Sequence, residues 1–142
     1  MDIKIKRVDN TLPLPEYHTD GAVAFDIYTR QDAHIAPRSF EKLPSNLIIQ
    51  IPHGYALIIA PRSSSAPKKG LTMRNGIGII DQDFCGEHDE ISILVYNFTT
   101  EEKIIERGER IAQGLFVPIE QAVWQEVDTM EHNSRGGFGT TG

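Results

Sequence analysis

At 142 residues the chain has the length of one domain, and a chain of that size can bury roughly 68–70% of its unfolded surface. A formal net charge of −6 argues against a general polyanion binder such as a duplex-DNA protein. It leaves room for one small anionic ligand, which needs only local cations or a metal. The single cysteine, Cys85, excludes an internal disulfide and a cysteine-based zinc site, and suits a reducing compartment.

The first ten residues carry no apolar signal core, and no apolar run approaches ~18 residues. The expectation is a soluble, cytoplasmic chain with neither membrane nor nucleic-acid partner. Ile3, Ile5 and Val8 roughly alternate with Lys4, Lys6 and Arg7, as in a half-buried edge strand. Residues 9–20, with Asp, Asn and two prolines, read as a loop. Ala22 to Tyr28 is a second strand carrying one charge, Asp26. That carboxylate either faces solvent from the polar side or needs a partner to be buried. Pro37, Pro44 and Pro52 punctuate the next segment, with Leu47 to Ile51 as a strand before the His53-Gly54 turn. Tyr55 to Ala60 is an apolar strand ending at Pro61.

Arg62-Ser63-Ser64-Ser65-Ala66-Pro67-Lys68-Lys69-Gly70 is the densest cluster of cations and hydroxyls in the chain. At a strand end such groups suit a phosphate-binding turn, with one turn of helix, or else a solvated polar loop. In Gly76 to Glu90, Ile77, Ile79 and Ile80 surround two glycines and are followed by Asp81 and Asp83. This stretch reads as two short strands joined by a tight turn, with Asp81 at the rim as a base, a water holder or simply a turn former. Its glycines would let a ligand approach bare backbone.

Ile91 to Phe98, Lys103 to Glu106 and Glu109 to Val117 are further strands, and Ala122 to Val127, with Trp124, reads as the last. Arg110 and Gln113 would either serve a site or decorate an edge. Some eleven short strands with regular Gly and Pro turns, and no convincing amphipathic helix, predict an all-β barrel or sandwich. The tail from His132 has no core-forming pattern. It reads as a frayed end or as a flap, with Phe138 able to stack on a planar ring and Arg135, Thr140, Thr141 and the glycine amides able to take up phosphate. A phosphate cradle, an acid beside a glycine-lined turn and a stacking flap together describe a nucleotide site.

Five stretches, in order, resemble the motifs of homotrimeric deoxyuridine triphosphate nucleotidohydrolases (dUTPases). They are Ala24-Phe-Asp-Ile-Tyr28, Ala60-Pro-Arg-Ser-Ser-Ser-Ala66, Gly78-Ile-Ile-Asp-Gln-Asp-Phe-Cys-Gly86, Gly108-Glu-Arg-Ile-Ala-Gln113 and Arg135-Gly-Gly-Phe-Gly-Thr-Thr-Gly142. The resemblance implies a distorted, jelly-roll-like β-barrel of the β-clip kind over residues 1–131, a flexible flap over 132–142, and a homotrimer with active sites shared between subunits. It implies that Asp81 activates a water against the α-phosphorus of dUTP, releasing pyrophosphate and leaving dUMP. Arg62, Ser63, Ser64 and Gln113 would bind the phosphates, Mg²⁺ would bridge them, and Asp26 would hold a metal-bound water or brace the site. Asn75 and the backbone at Gly78 and Ile80 would read uracil, and Phe84 would exclude a 2′-hydroxyl. Phe138, Gly139, Thr140, Thr141 and Arg135 would close over the ligand from a neighbouring subunit.

Ala24 stands where the family has Gly, Ser64-Ser65 replace Gly-Leu, Phe84 replaces Tyr, and the 86–90 turn is about three residues long in excess. The Ser-rich second motif is shared with dCTP deaminases. Those enzymes need a carboxylate in the strand after the third motif, and Ile91 to Asn97 has none. A non-catalytic nucleotide sensor on the same scaffold is the alternative from another class; Asp81, Gln113 and the tail argue against it.

Overall fold

The computed structural model describes residues 1–137. Eleven strands are found among them: β1 (Lys4–Arg7), β2 (Phe25–Tyr28), β3 (Ala33–Ile35), β4 (Phe40–Pro44), β5 (Leu47–Gln50), β6 (Tyr55–Ala60), β7 (Leu71–Met73), β8 (Gly78–Ile80), β9 (Ser92–Asn97), β10 (Lys103–Ile105) and β11 (Arg110–Pro118). Every pairing is antiparallel, in four small sheets ordered β1-β5, β10-β3, β2-β11-β6-β8 and β4-β9-β7. Main-chain hydrogen bonds tie one sheet to the next, as from Arg30 N to Pro44 O and from Ile91 N to Leu47 O. The sheets wrap one core in which Ile27, Ile35, Leu57, Ile59, Ile93 and Ile105 are sealed from solvent. A single π-type turn, Ser65–Lys69, interrupts the β-structure, where one helical turn was expected. Among the described residues no helix is long and apolar enough to cross a membrane.

Three strands escaped the sequence reading. β3 and β7 have three residues each, too few for an alternating pattern to stand out, and β4 contains Glu41, Lys42 and Pro44. β4 tolerates its proline because it is an edge strand of its sheet. Two expectations need correction. The stretch 76–90 does not form a hairpin of two strands: β8 is its one strand and pairs with β6, while β9 joins a different sheet with β7. Ala122 to Val127 is not a strand, and residues 120–137 are exposed throughout. Val123 and Trp124 are 97% and 90% exposed, so nothing within this copy rewards their ordering.

Register in the four-stranded sheet decides what the site can be. Asp26, Gln113 and Ala60 lie side by side, and Phe25, Gly114, Ile59 and Gly78 form the adjacent row. Side chains alternate between faces. The second row points into the core, where Phe25 and Ile59 are buried and a Cβ on Gly114 would come within 2.7 Å of the Phe25 ring. The first row therefore points outward, together with Leu115, Ile58 and Ile79 two residues further on.

Candidate functional site

Where β6 ends, Pro61 and Arg62 turn out of the sheet beside the outward-facing Asp26 and Gln113. Asp26 is 7% exposed. Its Oδ1 accepts from Arg62 Nε at 2.6 Å, and its Oδ2 accepts from Arg62 Nη2 at 3.3 Å and Arg110 Nη1 at 3.1 Å. His18 Nε2 stands 3.1 Å from the same Oδ2. Burial opposes ionisation of Asp26, but Arg62, Arg110 and His18 together outweigh it and hold the carboxyl below the usual range. The side-on pair with Asp26 turns the remaining edge of the Arg62 guanidinium toward Ser64, whose Oγ lies 3.4 Å from Nη1. Gln113 Nε2 donates to Pro61 O at 2.9 Å and braces the turn. Ser63 is exposed beside Arg62 and free to meet a ligand. The open question about Asp26 is thus resolved: it is buried and paired. Two guanidiniums share the one Asp26 carboxylate, so part of their charge and several of their N–H groups are left for an anion.

Asp81 occupies the opposite end of the same sheet. It follows β8 and is exposed on the rim of a cleft of about 420 Å³ lined also by Tyr55, Gln82, Asp83 and Gln121. Gln82 Nε2 donates to Tyr55 O at 3.0 Å, and Phe84 N donates to Asp81 O at 3.3 Å, so the turn is tied to β6 and to itself. Phe84 projects from it, partly exposed. Asn75 sits in a turn closed by Gly76 N donating to Met73 O, with Gly76 at φ +76°, which glycine adopts without strain. Ile80 faces the core side, half-buried, and Gly78 faces Ile59, whose Cβ would lie 3.3 Å from a Cβ placed there. The missing side chain of Gly78 therefore serves close strand packing as well as ligand approach.

The long 86–90 turn is fastened rather than loose. Glu90 takes a two-pronged hydrogen bond from Arg30, at 2.7 and 2.9 Å, and one from Asn46 N at 2.8 Å. Asp89 accepts from Gly86 N at 2.7 Å, and Glu87 pairs with Lys6.

Arg62, Ser63, Ser64, Gln113 and Asp26 are brought together at one end of the sheet, whereas Asp81 and Phe84 follow Ile80 at the other end; Gly78, opposite Ile59, lies between them, and Asn75 sits in the turn before it. Arg135 is exposed on the arm. Phe138, Gly139, Thr140 and Thr141 lie outside the described residues. His18 was missed, because a histidine in a Pro-rich loop carries no local signal of the strand it will meet.

A metal finds no cage here: among the described residues no three His, Cys, Asp or Glu side chains converge. Both oxygens of Asp26 are already engaged by cations and His18. The residues present do not fit a protein-held ion.

Comparison with known proteins identifies the family and the fold. The dUTPase family model matches residues 10–142. The chain is 38% identical over 146 residues to a deoxyuridine 5′-triphosphate nucleotidohydrolase of Hydrogenobaculum sp., covering 100% of this chain and 99% of the relative. It is 36% identical over 148 residues to the protein of the same name from Dictyoglomus turgidum, covering 99% and 97%. A Staphylococcus bacteriophage 80alpha dUTPase solved with dUPNHPP has the same fold, with a TM-score of 0.87 at 23% identity over 99% of this chain and 98% of that one.

Proposed function

The chain belongs to the dUTPase family, and from that premise we propose that it hydrolyses dUTP to dUMP and pyrophosphate at a site shared between copies of itself. The observation that carries this reading is the sheet register. The ladder that sets Gln113 against Ala60 and Ile80 against Leu57 carries Asp81 to Ala56, four residues down β6 from Ala60. At the usual rise that is roughly 13 Å along the strands, besides the width of two strand spacings. One triphosphate cannot bridge that gap within a copy while keeping its α-phosphorus beside Asp81. A second copy, with its Asp81 end against the Arg62 end of the first, closes the distance. The outward apolar row of Ile58, Leu115 and Ile79, the last 62% exposed, supplies a face for that contact, and the bare Val123 and Trp124 point the same way. A closed ring of such head-to-tail contacts is the homotrimer of this reading.

In the reaction, Asp81 takes a proton from a water whose oxygen bonds to the α-phosphorus as the bond to the bridging oxygen of the β-phosphate breaks. A positioned base of this kind contributes ~10²–10⁴-fold. Arg62, fixed side-on by Asp26, with Ser63, Ser64 and Gln113, binds the phosphates. Phe84 closes the space a 2′-hydroxyl would need, and Asn75 with the backbone at Gly78 and Ile80 reads the uracil edge. The segment from 132 onward acts as the flap, its described part, residues 132–137, being exposed. Mg²⁺, where present, would come with the substrate and supply neutralisation of the triphosphate charge, since no three carboxylate, His or Cys side chains among the described residues converge to hold it. The half-buried lone Cys85 supports work in a reducing, cytoplasmic compartment.

The test is pyrophosphate release across dUTP, dCTP, dTTP and UTP. Release from dUTP with little from the others is the expected result. Ammonia from dCTP would point to a deaminase instead.

A further inference from the structure

The loop over residues 9–20 has no part in the chemistry described so far, yet two of its consecutive residues dock on two consecutive residues of β2. Tyr17 meets Phe25 edge-on, with ring centroids 6.0 Å apart and planes at 84°, and Phe25 in turn lies 5.9 Å from Phe116. That aromatic contact pins the loop. The next residue, His18, then has its Nε2 3.1 Å from Asp26 Oδ2 and its Nδ1 3.4 Å from Glu16 Oε1. With a carboxylate at each ring nitrogen, the imidazole plane is held from both sides.

We propose that His18 is a positioning residue for triphosphate binding: it holds the Asp26 carboxylate at the angle from which Asp26 presents Arg62 and Arg110 to the phosphates. This rests on the reading of the Arg62–Gln113 end as the phosphate site. Asp26 Oδ1 takes only the Nε of Arg62, whereas Oδ2 is shared by Arg62, Arg110 and His18. Removing His18 leaves Oδ2 to two long, flexible guanidinium side chains. The carboxylate is then free to turn about its last torsion, which is broad for Asp. The Arg62 fork follows it and leaves its place beside Ser64. His18 itself does not reach the ligand; it acts through Asp26. Its loss should weaken the grip on phosphates alike in ground and transition states, which raises KM without slowing the chemical step.

The experiment compares steady-state dUTP hydrolysis by the full chain and by His18→Ala, His18→Gln, Asp26→Asn and the double variant His18→Ala/Asp26→Asn, with deoxyuridine as competitive inhibitor and thermal melting alongside. His18→Ala should raise KM about tenfold, the scale of one charge-assisted hydrogen bond, with kcat within about twofold and the inhibition constant for deoxyuridine unchanged. His18→Gln, whose Nε2 reaches a position near that of the imidazole Nε2, should restore most of the affinity. In the Asp26→Asn background His18→Ala should add little, because the two act as one unit. An unchanged KM in His18→Ala, a drop in kcat alone, equal weakening of deoxyuridine, or unfolding of both His18 variants would each overturn the inference while leaving dUTP hydrolysis by the wild type intact. A wild type inert on dUTP would overturn the functional reading and this inference together.

Discussion

Asp81 directly follows Ile80, which pairs with Leu57 near the start of β6, while Gln113 pairs with Ala60 at its end, so the two stand at opposite ends of one strand. Asp26, directly across the ladder from Gln113, pairs with Arg62 and Arg110 and gives that end its fixed cations. One end of the sheet thus carries two paired guanidiniums, and the other an exposed carboxylate beside a wide cleft. On the proposed reading, a substrate held by both ends lies between copies.

Asp81→Asn keeps the size and most hydrogen bonding of the side chain while removing its ability to accept the water proton. Nucleotide binding should persist and turnover should fall by roughly 10²–10⁴-fold. Titration calorimetry with a non-hydrolysable dUTP analogue, beside single-turnover rates, separates the two effects; undiminished turnover would remove Asp81 as the base.

Truncation after Ser134 should sharply reduce activity and leave melting temperature and assembly unchanged. The described residues it removes, Arg135 to Gly137, are exposed and belong to no strand. Loss of the oligomer in that variant would make the tail a structural element instead.

Ile79 stands 62% exposed on β8, in the row with Ile58 and Leu115. Ile79→Glu should fold, since no core contact is lost, but should shift the sedimenting species from trimer toward monomer by setting a charge in an apolar contact. Activity should fall with assembly and recover in part at high protein concentration.

Asp26 should leave a mark on acid stability. Its folded-state value lies below the ordinary 3.8, so its pairing stabilises the fold above that pH and is lost as pH falls through the lowered value. Asp26→Asn should therefore be less stable than wild type at pH 7, and the difference should shrink steadily below about pH 4. Urea midpoints at pH 7, 4 and 3 measure it. Asp9 and Glu87, also held low by Arg107 and Lys6 respectively, remain in both proteins and keep some acid sensitivity in each.

Much of this protein was written in short-range chemistry. Alternating Ile and Lys in β1, the apolar run of β6 and the Gly and Pro turns were enough for an all-β domain, because strand alternation and turn geometry depend on neighbours a few residues away. The Arg62–Ser64 cluster, the Asp81 turn and the Gly-rich tail were likewise legible as separate patches. What only the tertiary structure decided was how they face one another. Strand register is set by partners tens of residues apart, and a shift of one residue turns every side chain to the other face. Register alone put Asp26 outward but buried between Arg62, Arg110 and His18, sent β8 to β6 instead of into a local hairpin, and left Asp81 at the far end of β6 from the row of Asp26 and Gln113. Trp124 marks the same limit from the other side. Its apolar neighbours made a strand plausible, but a strand needs a partner edge, and this copy offers it none.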